Sequence, residues 1–297
     1  MRVNPNYTAD VLTAVARTQQ ASADALLQMS SGKRVNTPSD DPAAAAAMVQ
    51  LSTHADQVDQ YLGNITTMNN QMQAVDSTMS TVVTELNQAI SAGIQGANGT
   101  LSAANRQALA DQVQGILSNV VSQANLSYMG AFVFGGTAST TQPFTADATA
   151  PSGYKYNGNA NQNSVPIGEG LSVQANLPGD QVFQKSGADV MGSLHDLVAA
   201  LRNNDPTAVG NATSAVRSAL DYVSQVRVFY GNNMTQMSQQ QSYLQKEKTD
   251  METQQNSLIG VDLATAATQF NQAQTAHSAT LAAASRLMQN TLLDYLK

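Results

Sequence analysis

The chain has 297 residues, of which only 12% are charged, and its net charge at pH 7 is −7. It has no Cys, which excludes disulfides and thiolate chemistry, and its negative charge without a basic cluster does not favour nucleic-acid binding. No apolar run reaches about 18 residues, so no membrane span is predicted, and few charges mean weak repulsion between copies packed side by side.

The first predicted element is a helix over residues 8–29, because apolar residues recur on one face. Its stripe is thin and consists of Val11 or Leu12, Val15, Ser22, Leu26 and Met29. A helix with so few apolar side chains is marginal by itself. We therefore expect it to need a partner.

A loop with strong stop and start signals follows this helix. Gly32 is a helix-terminating residue, and Thr37 stands before a proline, which disfavours the helical conformation. Asp40 and Asp41 come directly before Pro42, a residue that suits the first turn of a helix. Both carboxylates can accept backbone N–H groups at that helix start and favour the positive end of its dipole.

The next helix is predicted from Pro42 to about Gly93 and would be roughly 75 Å long. Its apolar residues recur mostly at alternating spacings of three and four, which is the pattern of a coiled-coil seam. They are Leu51, Val58, Ile65, Met68, Met72, Val75, Met79, Val82, Leu86 and Ile90. A glycine-rich turn leads to a third helix over 102–124, which we expect to pack antiparallel to the long one.

Composition changes between residues 125 and 187, where Gly, Asn, Pro and Thr are frequent. Short alternating runs separated by Asn157-Gly158 and Pro178-Gly179 predict strands and turns. Helices return over 188–202, over a second long stretch from Pro206 to about 255, and over 262–295. The last helix is so poor in charge that we expect neighbours on more than one side of it.

The sequence offers no candidate catalytic site or cofactor site. The three histidines, His54, His195 and His277, are far apart, and no spacing suits zinc. Gly168-x-Gly170 lacks the third glycine of a dinucleotide-binding loop. Helix capping explains Asp40 and Asp41 better than acid–base chemistry does. We therefore predict a non-enzymatic protein without cofactor or metal.

Four stretches together resemble the bacterial flagellin superfamily. They are SSGKRVNTPSDDP at 30–42, NLSYMGAFVFGG at 125–136, LPGDQVF at 177–183 and TLLDYL at 291–296. Flagellins usually have alanine and glycine after the aspartate pair, whereas Pro42 follows here. The chain thus resembles the flagellin-like hook–filament junction proteins more than the flagellins themselves.

The resemblance implies a structural adaptor of the bacterial flagellum, placed at the hook–filament junction, on which flagellin polymerises. It implies partners: further copies of the chain in a ring-like homo-oligomer, the first hook-associated junction protein, flagellin, and an export chaperone at the C-terminal part. It also implies extracellular location after type III export, and residues 1–10 lack the apolar core of a cleaved signal peptide. Flagellin is the alternative, and a type III translocator or helical signalling rod is a remote one.

The fold expected is mainly α, with long antiparallel coiled-coil-like rods, paired terminal helices and a small inserted β-rich domain. We expect an inner domain of 1–41 with 257–297, a rod domain of 42–130 with 187–256, and an outer domain of 131–186. The residues predicted to form assembly interfaces are Leu12, Val15, Leu26, Asp40, Asp41, Pro42, Phe270, Leu281, Met288, Leu292, Leu293, Tyr295 and Leu296.

Overall fold

The computed structural model describes the backbone of residues 7–295 and the side-chain environment of residues 9–286. Within that part the chain is mainly helical. The long helices are α1 (Tyr7–Ser31), α2 (Pro42–Gly96), α3 (Ala103–Ala124), α5 (Val190–Arg202), α6 (Pro206–Ile259) and α7 (Leu263–Tyr295), and α4 (Gly179–Phe183) is a short helix. The predicted fold class is confirmed.

Two helices extend beyond their predicted ends. The sequence predicts that the first long helix ends near Gly93, but α2 continues to Gly96. A Cβ at Gly93 would lie 2.2 Å from the Thr213 hydroxyl oxygen, so this glycine permits close packing of α2 on α6 rather than ending α2. The helix α6 also continues past residue 255 to Ile259.

The inserted module consists of four two-stranded antiparallel hairpins in the described residues. They pair β1 (Ser127–Tyr128) with β2 (Ala131–Phe132), β3 (Phe144–Ala146) with β4 (Tyr154–Tyr156), β5 (Ser164–Gly168) with β6 (Leu171–Gln174), and β7 (Gln184–Lys185) with β8 (Ala188–Asp189). Hairpins this small have marginal stability without other packing. Three phenylalanines, Phe134, Phe144 and Phe183, supply this packing. All three are fully buried, and the Phe183 ring meets each of the other two edge to face.

The chain divides into two compact units, and the division falls within α2 and α6. The first unit contains the residues up to Gln57 and those from Lys246 onward, and the second runs from Val58 to Gln245. The second unit contains the C-terminal part of α2, the helices α3 to α5, the β module and the N-terminal part of α6.

Large apolar side chains fill the core of the second unit. On α2 every predicted seam residue from Val58 to Ile90 is buried. On α6 the buried seam residues of this unit are Val209, Val216, Val223, Tyr230, Met237 and Leu244.

The Tyr230 hydroxyl accepts a hydrogen bond from the Leu177 backbone N–H at 3.2 Å and so links α6 to the β module. Arg227 donates to Asp76 at 3.0 and 3.3 Å between α6 and α2.

A buried arginine closes the turn between α2 and α3 in the second unit. Arg106 is 3% exposed, and its guanidinium donates to the carbonyl oxygens of Gly96 at 2.8 Å and Asn98 at 2.6 Å. It also donates to the Asn204 side chain, at the turn between α5 and α6. Because the last carbonyls of a helix have no partner within the helix, Arg106 satisfies the carbonyl of buried Gly96, which would otherwise be left unpaired.

Candidate assembly surface

In the first unit, two chain segments meet at the loop between α1 and α2. Gly32 follows α1 with a φ of 69°, a conformation that favours glycine, and its N–H donates to the Gln28 carbonyl at 3.0 Å. The Arg34 N–H donates to the Ile259 carbonyl at 2.6 Å, and the Val261 N–H donates to the Gly32 carbonyl at 3.1 Å. These bonds join the α1–α2 loop to the α6–α7 connection, and we call this meeting point the joint.

The Arg34 side chain fastens the joint. One guanidinium nitrogen donates to the Asp41 carboxylate at 3.0 Å and to the Leu258 carbonyl at 2.9 Å. The same nitrogen therefore connects the start of α2 with the end of α6. A small apolar cluster underlies these bonds, in which Val35, Ala44 and Ile259 are buried and Met48 and Leu258 pack against them.

The two adjacent aspartates of the joint have different roles. Asp41 caps α2, because its carboxylate accepts the Ala44 N–H at 3.0 Å. Asp40 instead turns back onto the loop and accepts the N–H groups of Asn36 and Thr37 at 2.9 and 2.8 Å. The prediction that both carboxylates serve the helix start is thus right for Asp41 and wrong for Asp40.

Hydrogen bonds to the carboxylates lower the pKa of three aspartates at the joint. The backbone N–H groups of Thr37 and Asn36 lower the pKa of Asp40. The Ala44 N–H and then the Arg34 guanidinium lower that of Asp41. Across the joint, the Thr265 hydroxyl and the Ala264 N–H lower the pKa of Asp262, which caps α7. All three groups favour the ionised form.

The helices α1 and α7 form an antiparallel pair. Their ends meet at the joint, and further along, the Thr18 hydroxyl lies 3.0 Å from His277 Nδ1. The seam between them is built largely of small residues: Ala25, Ala266 and Ala284 are buried, and Ser22 and Ala273 are half-buried. Large leucines lie outside the seam and are exposed, namely Leu12 (60%), Leu26 (53%), Leu27, Leu263 and Leu281.

Residues 3–139 match the bacterial flagellin N-terminal helical region, and residues 213–296 match the bacterial flagellin C-terminal helical region. The two matches together span more than half of the chain. The chain belongs to the bacterial flagellin family. The paired helices α1 and α7 come from these two matched regions, so the family's two ends meet in one unit.

Within the flagellin family, the chain is similar to hook-associated proteins. The chain is 26% identical over 259 residues to flagellar hook-associated protein 3 of Escherichia coli, covering 79% of this chain and 80% of that protein. The crystal structure of Bacillus cereus FlgL has a TM-score of 0.60 at 22% identity and covers 70% of this chain and 99% of that one. The flagellar junction protein FlgL from Legionella pneumophila gives 0.59 at 15%, covering 73% and 100%. These two structures support the fold.

The predicted interface residues of this flagellin-family chain fall into three groups. Asp40, Asp41 and Pro42 lie at the joint. Val15 and Phe270 are half-buried in the α1–α7 pair, whereas Leu12, Leu26 and Leu281 are exposed on it. Met288, Leu292, Leu293 and Tyr295 lie in the last part of α7, where side chains are outside the described residues, and Leu296 is outside them altogether.

Two residues of the first unit, Ala25 and Arg34, are not among the predicted interface residues. The predicted apolar stripe of α1 contains Leu26 in place of Ala25, although positions 11, 15, 18, 22, 25 and 29 are spaced regularly by four and three. This spacing indicates one continuous helix face that packs against a partner helix. It is hard to recognise because three of its positions, Thr18, Ser22 and Ala25, carry small side chains. The role of Arg34 in joining the two segments is not predictable from local sequence, because one acceptor of its side chain, the Leu258 carbonyl, lies at the end of α6, more than 200 residues away.

The described residues offer few other kinds of site. Among them, no group of three or more His, Asp or Glu is arranged to hold a metal ion. None of the described helices combines the length and apolar content that crossing a membrane requires.

Proposed function

We propose that this protein is a structural subunit of the bacterial flagellum at the hook–filament junction, where it provides the surface on which flagellin polymerises. One observation carries the proposal: the two family-matched ends of the chain pair with each other in one unit. Small side chains form much of the seam between them, and large leucines are exposed outside it. The match to flagellar hook-associated protein 3 along most of both chains supports the junction over the filament itself.

Exposed leucines on the α1–α7 pair supply a physical reason for assembly. Fully burying one leucine side chain stabilises by about 1.5–3 kcal/mol. Leu12, Leu26 and Leu281 cannot obtain this from the seam, since their side chains lie outside it. Neighbouring copies or other flagellar subunits would bury them, in contacts where one patch meets a different patch on the next copy.

We further propose the partners and the route. The partners are other copies in a ring, the first hook-associated junction protein on one side, flagellin on the other, and an export chaperone at the C-terminal part before assembly. The protein would leave the cell through the flagellar type III pathway. Residues 1–41 with 257–297 would form the inner contacts, 42–130 with 187–256 the rod, and 131–186 the outer domain.

Immunogold labelling of isolated flagella tests the junction role. We expect label in one short zone between hook and filament, and cells without the gene should make hooks without attached filaments. Label along the whole filament would favour the alternative, a filament subunit. Normal filament attachment without the gene would contradict both.

A further inference from the structure

The tip of the β1–β2 hairpin combines an exposed apolar side chain with an unfavourable backbone. The two residues of the turn, Met129 and Gly130, have φ values of 52° and 83°. A two-residue turn with both central φ values positive strongly prefers Asn-Gly or Gly-Gly. Methionine rarely adopts this conformation, and yet Met129 is 85% exposed, so no packing within the chain holds it there. An outlier of this kind at an exposed tip points to a role outside the fold.

The strands of the same hairpin border a cavity. Tyr128, Ala131 and Phe132 line it together with Met68 of α2 and Val165 of β5, and its volume is about 450 Å³. That size is within the range of clefts that bind small ligands or side chains. None of the side chains that line the cavity is charged. Aromatic rings make favourable contacts with a methionine sulfur, and Tyr128 and Phe132 supply two such rings.

We propose that Met129 of one copy inserts into this cavity of the next copy, in addition to the contacts of the terminal helices. The inference rests on the proposed function, because it needs an array of identical subunits. The tip and the cavity are distinct surfaces of each chain, although Tyr128 and Ala131 flank the tip and also line the cavity. A tip that enters the cavity of the next copy leaves that copy's own tip free for a further copy, so the contact can repeat along an array. A chain that is only 12% charged gives little repulsion between such neighbouring modules.

Replacing Met129 by Asn separates assembly from folding. Asn-Gly is the preferred pair for this turn, so the melting temperature of the Met129→Asn monomer should stay the same or rise by about 2–4 °C. Filament attachment under shear should fall several-fold, since the tip no longer fills the cavity. A Val228→Asn variant, at an exposed site of α6 (62%), is the matched control and should keep attachment normal. Unchanged attachment in Met129→Asn would overturn the proposal.

Disulfide cross-linking identifies the occupant, and the chain suits it because it has no cysteine of its own. Cells would express Met129→Cys chains together with tagged Ser139→Cys chains, Ser139 being a lining residue of the cavity. After mild oxidation of isolated flagella, we expect a covalent pair of one tagged and one untagged chain. The control pairs Met129→Cys with Ser118→Cys, an exposed position on α3, and should not cross-link. A second lining position, Ser164→Cys, covers the case in which Ser139→Cys fails to assemble.

The readouts distinguish this inference from the proposed function. Immunolabel at the junction without any tip-to-cavity cross-link, from either lining position, overturns the inference and leaves the junction role intact. A cross-link from Met129→Cys to a different flagellar protein also overturns it, because the occupant would not be a second copy. Label away from the junction counts against the proposed function itself.

Discussion

The two units of this chain use the same helical spacing with side chains of different size. In the second unit, the seam of α2 carries residues such as Ile65, Met72 and Leu86, all fully buried. In the first unit, the α1–α7 seam carries Ala25, Ala266 and Ala284, while Leu12 and Leu26 are exposed. Large residues inside make a unit that is stable alone, whereas large residues outside make a surface that gains from neighbours.

Removing the end of α7 should have the largest effect on assembly and little effect on the stability of the second unit. Deletion of Leu287–Lys297 removes Leu287, Met288, Leu292, Leu293, Tyr295 and Leu296. We expect no stable incorporation into the flagellum. The monomer should melt within a few degrees of the full-length chain, because the core between Val58 and Leu244 is untouched.

Two measurements check the deletion, namely thermal melting of the purified monomer and filament attachment in cells that express it. Global unfolding of the truncated monomer would show that the last residues stabilise the fold. Normal attachment would show that they are not an assembly surface.

Making the exposed leucines polar is a milder version of the same test. Leu12→Gln, Leu26→Gln and Leu281→Gln in one chain keep a helix-favouring residue at each site. Each should change the free energy of unfolding by less than about 0.5 kcal/mol, as is usual for surface substitutions, while filament attachment is largely lost. The control carries Ile94→Gln and Val228→Gln, which are equally exposed in the second unit, and should assemble normally. Equal loss in both variants would refute a special role for the terminal helices.

Arg106 tests the second unit, where stability should depend on the buried interior. Arg106→Met removes the donor of the Gly96 and Asn98 carbonyls and leaves the buried Gly96 carbonyl unpaired, so we expect a loss of about 2–3 kcal/mol in the free energy of unfolding. Arg202→Met is the control. Its guanidinium lies 3.5 Å from Asp111 at an exposed site, and an exposed pair contributes less than about 1 kcal/mol. Denaturant unfolding of the two variants measures the difference, and similar losses would contradict the structural role of Arg106.

The sequence predicted what depends on large apolar side chains and on local capping signals. The prediction for the α2 seam between Val58 and Ile90 was correct, because large apolar side chains at spacings of three and four lie on one face of a helix and are stabilised by burial. The α1–α7 seam was less predictable, because several of its residues, such as Ala25 and Ala266, are small and give a weaker apolar signal than Leu26 does. The Arg106 contacts could not be predicted, since Asn204 reaches it only after the chain has folded.

The joint should show a small, acid-dependent loss of protection. Its aspartates have folded pKa values below their unfolded value of about 3.9. A lowered pKa contributes stability that is present above the unfolded pKa and is lost as pH falls through the folded pKa. We therefore expect no change between pH 7 and 5, and a progressive loss below about pH 4, where the carboxylates become protonated.

Amide exchange reads this loss at the groups that donate to the carboxylates. The N–H groups of Asn36 and Thr37 donate to Asp40, and the N–H of Ala44 donates to Asp41. Their protection relative to the second-unit core should fall on acidification. The control chain carries Asp40→Asn and Asp41→Asn, because an asparagine oxygen can still accept these bonds but does not titrate. Its protection at the three amides should be nearly independent of pH. If the unmodified chain keeps full protection well below pH 3, or if the control loses it equally, then ionised carboxylates are not what holds the loop of the joint.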